Sequence, residues 1–199
     1  MFGKKLSEWG GIAAGFVLIA FGIGAIYMGV DGRQTVRDNL KAEMITIGSA
    51  DDPAVAKYAS EYAEEQVTTG TQARAFAQVI HEHALEGAGG LTYSQMGRFL
   101  SAADPDDPAG TSDEAAALKD ESGNPVSNQA RNTWVTATAL TTALNMSFMA
   151  EQLALFGIVV GVALLLAGIG FLVLALGGAL RKSTATARSI RTDAKIASA

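Results

Sequence analysis

The chain has 199 residues, no cysteine and a formal net charge of −5. Disulfides, thiolate metal sites and cysteine nucleophiles are therefore excluded, and the acidic balance argues against nucleic acid as a partner. Almost half of the residues are hydrophobic, and their distribution along the chain carries most of the information.

Residues 1–9 form a short stub with Lys4 and Lys5 against Glu8. From Gly10 to Val30 there is no charged residue. A bilayer core about 30 Å thick takes roughly 20 apolar helical residues, so residues 10–30 are expected to form a first transmembrane helix. A cleaved signal peptide is the competing reading. Its usual apolar core is only about 7–15 residues and ends in a small-x-small cleavage site; this stretch is longer and has no clear site, so an uncleaved anchor fits better.

Beyond Asp31-Gly32 the apolar residues Val36, Leu40, Met44 and Ile47 recur at helical spacing, which predicts that the first helix continues as an amphipathic stalk. Gly48 is the expected stop. Asp52-Pro53 reads as a capped helix start. The face Val55, Tyr58, Ala59, Tyr62 and Ala63 then predicts a helix that ends at Gly70. A further helix is expected from Thr71 to Glu86, with Ala73, Phe76, Ala77, Ile80 and Ala84 inward and Gly87 as its stop. Thr92 and Gln95 have capping-box spacing, which predicts a short helix to about Ala102. Asp104 to Ser112 reads as a loop, and another short helix is expected from Ser112 or Asp113 to Gly123. From Asn128 there is neither Gly nor Pro until Gly157, and Trp134, Ala137, Leu140, Leu144 and Phe148 make a stripe leading into a second uncharged stretch, Leu153 to Leu180. One helix from Asn128 to Leu180 is predicted. Gly11-x-x-x-Gly15 and Gly157-x-x-x-Gly161 suit close helix packing, first of all of the two spans on each other.

Charge near the membrane orients the chain. The stub and the tail, residues 181–199, hold seven of the 15 basic and two of the 20 acidic residues, which leaves eight basic and 18 acidic for residues 31–152. Short Lys- and Arg-rich flanks stay cytoplasmic, whereas long loops cross largely regardless of charge. Both termini are expected in the cytoplasm and residues 31–152 outside. Arg33 and Arg37, at the outer end of the first span, are read as balanced by Asp31 and Asp38. The basic tail is expected to lie against lipid headgroups. The fold class expected is all-α: transmembrane helices at 10–30 and 153–180 that continue into an extracytoplasmic antiparallel helical bundle.

Catalytic patterns are sparse. His81-Glu82-His83 is the one histidine cluster, but residues two apart on a helix point about 200° apart, so a polar helix end is the plainer reading. Asp104, Asp106 and Asp107 resemble a calcium loop only in part, because Pro108 and Ala109 stand where a ligand and the turn glycine belong. Neither uncharged stretch carries the ionisable residue that ion and proton pathways use. The polar side Thr136, Thr138, Thr141, Thr142, Asn145 and Ser147 can line a cleft or simply bond to the preceding turn. No catalytic, cofactor-binding or metal residue is assigned, and no cofactor is expected.

The segments HEHALEGAGGLTYSQMGRFL, from His81 to Leu100, and ALTTALNMSFMAEQLALFGIVVG, from Ala139 to Gly161, resemble a group of uncharacterised actinobacterial two-span membrane proteins. The resemblance implies a bacterial plasma-membrane protein and no activity. Members are sometimes labelled aromatic ring-opening dioxygenases, a chemistry that takes two His and a carboxylate on one metal; no such spacing occurs here. The expected function is non-enzymatic: an outer helical domain that mediates protein interaction or assembly, with the lipid bilayer and a protein partner or second copy as partners. A ligand sensor that signals through a partner chain is the alternative, and an enzyme the third reading.

Overall fold

The computed structural model describes residues 2–177, with the backbone alone at 2–8. The basic tail and the last residues of the second uncharged stretch, 178–180, lie outside the described residues. Among the described residues the fold is all-α, with four helices and no strand: α1 Phe2–Ala42, α2 Pro53–Tyr58, α3 Gly70–Gly87 and α4 Gln129–Leu176. α1 and α4 are long and apolar enough to cross a membrane. The chain divides into two compact units, one from residues 2–33 with 153–177 and the other Gln34–Gln152.

In the first unit α1 and α4 pack antiparallel along a seam of small residues. Gly15 lies against Gly168 and Leu172, Gly22 against Gly161 and Leu165, and Gly29 against Ala154 and Ile158. Each step moves seven residues forward on α1 and seven back on α4, the repeat that keeps one side of a helix on its neighbour. A Cβ at Gly22 would sit 2.7 Å from the Gly161 carbonyl oxygen, and one at Gly29 would sit 2.6 Å from that of Ala154. The backbones touch because no side chain stands between them. Of the glycines expected to matter, Gly15 and Gly161 are in this seam, whereas Gly157 makes only ordinary contact at 3.7 Å.

The second unit begins where α1 becomes amphipathic. Leu40 is buried in one core with Ile47, Val55, Val67, Ala73, Val79 and Leu144, and Val36 packs against it. Helix α1 stops at Ala42, short of Gly48, and Met44 takes a positive φ of 51° and is 78% exposed. The expected stripe therefore loses Met44. Ile45-Thr46-Ile47 is β-branched and favours extended backbone; it pairs with residues 65–67, Ile47 N–H donating to Glu65 O and Val67 N–H to Ile45 O. Ile47 is buried through this pairing, not through a helix.

Asp52 caps α2 as expected, its carboxylate accepting from the amides of Ala54 and Val55, with Pro53 in the first turn. The helix is shorter than its periodicity predicts. It ends at Tyr58, a 3-10 turn follows at Ser60–Tyr62, and Glu64 has a positive φ of 63°. Gly70 is the first residue of α3, not the stop of α2. Thr69 and Gln72 close a reciprocal capping box there, satisfying amides that the first turn leaves without partners. Ala73, Ala77 and Ala84 face inward as predicted, joined by Gln72, Ala75 and Val79.

The second unit is not wholly helical. The Thr92–Gln95 capping box forms, but it opens only a 3-10 turn at Tyr93–Gln95, and no helix forms between Ser112 and Gly123. Isolated antiparallel bridges hold this stretch instead, Phe99 to Thr111 and Ser127, Ser101 to Ala117, and Lys119 to Pro125. Asp104, Asp107, Asp113 and Asp120 each accept from a backbone amide two residues on, offering the chain an alternative to helix. Gly97 crosses the Thr111 backbone so closely that a Cβ would fall 2.3 Å from its carbonyl carbon. Asn128, 1% exposed, ties this stretch to the start of α4 by donating to Gly97 O and Pro108 O.

On α4 the buried side is Trp134, Leu144 and Glu151, with Ala137 and Thr141 half-buried. Leu140 is 42% exposed, so the expected stripe is displaced by one residue there. Trp134 packs with Ala84, Ala88 and Met96, apart from the Leu40 core. Truncation of either side of the Leu40–Leu144 core is expected to be costly. Leu40→Ala or Leu144→Ala should lose about 2–5 kcal/mol by denaturant unfolding, whereas exposed Lys41→Ala or Thr142→Ala should change stability by about 0.5 kcal/mol or less.

Candidate functional site

Two places in the second unit gather polar groups. The first is at the start of α3. Gly70, buried, approaches α4 so closely that a Cβ would sit 2.8 Å from Phe148 Cα and 2.9 Å from Glu151 Oε2. Its amide donates to Glu151 Oε2 at 2.5 Å, and Arg37 Nε donates to Glu151 Oε1 at 2.8 Å. Glu151 is 6% exposed. Its carboxylate therefore satisfies an otherwise unpaired amide and meets the positive end of the α3 dipole. Arg37, expected to be balanced by its neighbour Asp38, finds its partner 114 residues away; Asp38 accepts from Gln34 instead.

The histidine cluster opens outward in three directions. His83 pairs with Asp52 at 2.9 Å, and Glu82 accepts from Lys57 and Tyr58 at 3.0 Å each. The His81 ring stands edge-on to Trp134, centroids 5.4 Å apart. The two imidazoles thus serve different neighbours, and among the described residues no three His, Asp or Glu side chains are grouped to hold a metal ion. Asp104 and Asp107 spend a carboxylate oxygen each on the turn they cap.

These surface pairs set local charge. His83, and after it the amides of Ala54 and Val55, hold the Asp52 carboxyl below its ordinary range. Lys57 and then Tyr58 do the same for Glu82. Tyr58 and Glu82 push Lys57 up to about 12. Lowered carboxyls stabilise fully above their unfolded values, about 3.9 for Asp and 4.3 for Glu, and lose that contribution as pH falls through the folded values; raised Lys57 contributes below its unfolded value and loses it as pH rises through about 12. Asp52→Asn keeps a good cap and removes the His83 pair. It should lower the melting temperature at pH 6, with the difference from the parent protein shrinking as pH falls through the lowered folded value of Asp52. A pH-independent difference would mean that the cap, not the ion pair, is affected.

The second place is a cleft of about 230 Å³ lined by Tyr58, Ala77, Gln78, His81, Thr141 and Asn145. Thr141 donates to Thr138 O and Asn145 to Thr141 O, as Thr136, Thr142 and Ser147 likewise donate one turn back. The polar side of α4 thus bonds mainly to its own helix. A separate, more apolar groove of about 260 Å³ lies among Leu40, Glu43, Ile45, Leu140 and Leu144.

No family model, curated protein or solved structure matches the chain.

Proposed function

We propose that this is a two-span membrane protein of the bacterial plasma membrane, with both termini cytoplasmic, whose extracytoplasmic unit binds another protein or a second copy of itself and is not an enzyme. The observation that carries this reading is the uncovered apolar surface of α4 ahead of Leu153. Val135, Met146 and Met149, 49%, 63% and 61% exposed, share the side of the helix opposite buried Leu144 and Glu151, and Leu140, 42% exposed, stands apart from them beside the buried face. Val135 and Leu140 stand more than three turns from Leu153 along the helix, beyond the reach of the hydrocarbon core by sequence. Exposed apolar surface of this kind marks contact with a partner. Leu140 rims the separate groove over Leu40 and Leu144, a second apolar place that a complementary side chain can fill.

Because the chain has no cysteine, single cysteines report contacts cleanly. Val135→Cys and Leu140→Cys, treated in native membranes with a short bifunctional thiol-to-amine reagent, should give one discrete product larger than the monomer, either a dimer or an adduct of fixed mass. Ser60→Cys, on the exposed turn after α2, should give none. Monomer alone at both α4 positions, with a monomeric mass in mild detergent, would remove the reading.

A further inference from the structure

We infer that the cleft between α2, α3 and α4 is a binding site for a small neutral ring bearing several hydroxyl groups, that is, a single sugar unit. This goes beyond the protein-contact reading and does not depend on it: the cleft uses Gln78, His81, Thr141 and Asn145, none of which belongs to the uncovered apolar surface. Size is the first argument. At about 230 Å³ the cleft falls below the roughly 300–1,000 Å³ of pockets that take drug-sized ligands, which suits one ring.

Charge is the second. No carboxylate, Lys or Arg lines the cleft. Lys57 and Glu82, beside Tyr58, are paired with each other at 3.0 Å, and Tyr58 donates its hydroxyl to the same Glu82.

Hydrogen-bonding capacity is the third. The Gln78 amide and the His81 ring nitrogens make no hydrogen bond to other described residues, so their capacity faces the cleft or water. Asn145 spends one N–H on Thr141 O, and Thr141 its hydroxyl proton on Thr138 O. Asn145 keeps its carbonyl and a second N–H, and Thr141 keeps acceptor lone pairs. Two amides, each a donor and an acceptor, match adjacent hydroxyls, each of which also donates and accepts. Tyr58 also lines the cleft, its hydroxyl anchored by Glu82.

Trp134 provides the readout, since it lies against His81. The chain has two tryptophans, and Trp9→Phe leaves Trp134 alone. Full-length Trp9→Phe protein, in a detergent without a sugar headgroup, is titrated with glucose and N-acetylglucosamine, and separately with a short N-acetylglucosamine oligomer. A saturable change in Trp134 fluorescence is expected. Gln78→Ala and Asn145→Ala should each weaken it at least tenfold while the melting temperature without sugar stays unchanged, because both side chains are exposed. Thr141→Val, nearly isosteric, should weaken it too. Stronger response to the monosaccharides assigns the site to a free sugar, and stronger response to the oligomer to the end of a glycan. No saturable change with any of them, or a change that survives all three substitutions, overturns the proposal. It would leave the α4 contact surface untouched, since that is read by crosslinking.

Discussion

Leucine in place of Gly22 or Gly161 is expected to separate the two long helices within the apolar unit. At Gly22 a Cβ would lie 2.7 Å from Gly161 O and 2.8 Å from the Leu165 amide nitrogen; at Gly161 it would lie 2.7 Å from Gly22 O. The obstacles are backbone atoms of a neighbouring helix, which cannot rotate away as a side-chain tip can. Overpacking in a tight interior typically costs about 1–3 kcal/mol, and these sites should reach or exceed the upper end because the helices must move apart as a whole. Gly24→Leu and Gly170→Leu are the controls: both stand on the same helices with nothing within 4 Å of a built Cβ. Melting of the full-length protein in mild detergent should show a large loss for the first pair and little for the second. Equal losses would mean that helix propensity or lipid contact, not the seam, decides.

Glu151→Ala should be the most damaging polar substitution. It removes the acceptor of the buried Gly70 amide and the partner of Arg37 in one step. An unsatisfied buried amide costs about 1–3 kcal/mol. A broken buried ion pair costs about 3–5 kcal/mol, discounted here because the Arg37 side chain is 33% exposed. A loss of about 3 kcal/mol is expected, with Glu151→Gln milder because it still accepts from Gly70. Hydrogen exchange adds a local readout: the amides of Gly70, Thr71 and Gln72 should lose protection in Glu151→Ala before the rest of α3 does. Unchanged protection at these amides would mean that Thr69 and Gln72 alone hold the start of the helix.

The long helices and the caps were legible because their signals are local. An uncharged run, Asp52 before Pro53 and Thr92 three residues before Gln95 each act within a turn or two, whereas the box of Thr69 and Gln72 was hidden by reading Gly70 as a stop. The seam needed a longer view. A four-residue spacing picks out Gly15 and Gly161, yet the set in contact recurs every seven residues, Gly15, Gly22 and Gly29 against Gly168, Gly161 and Ala154. The Glu151 junction joins residues 81 and 114 positions apart, and no local pattern reports that. One hint was available: Glu151 is the last charge before the second uncharged stretch, and Arg33 and Arg37 are the first basic residues after the first.

Periodicity misled where tertiary pairing competed with helix. Met44 fits a helical stripe, but Ile45-Thr46-Ile47 pairs with residues 65–67 and ends α1 at Ala42. Leu140 fits the α4 stripe, yet Thr141 takes the inward place, because a strict four-residue step drifts off the face that neighbours at three and four share. From 96 to 128, capped turns and the close crossing at Gly97 outweighed weak helix signals. The cleft was legible only on one wall. Thr141 and Asn145 stood out as a polar side, while Tyr58, Gln78 and His81 come from two other helices.

Topology is the premise beneath the proposed function, and it is tested by paired compartment reporters. Fusions at Ala199 and in the exposed turn at Asp107, read with one enzyme active only outside the cytoplasm and one fluorescent only within it, should report opposite sides: cytoplasmic at Ala199 and outside at Asp107. A cytoplasmic signal at Asp107 would contradict the account, because the outer unit, its contact surface and its cleft would then face the wrong compartment.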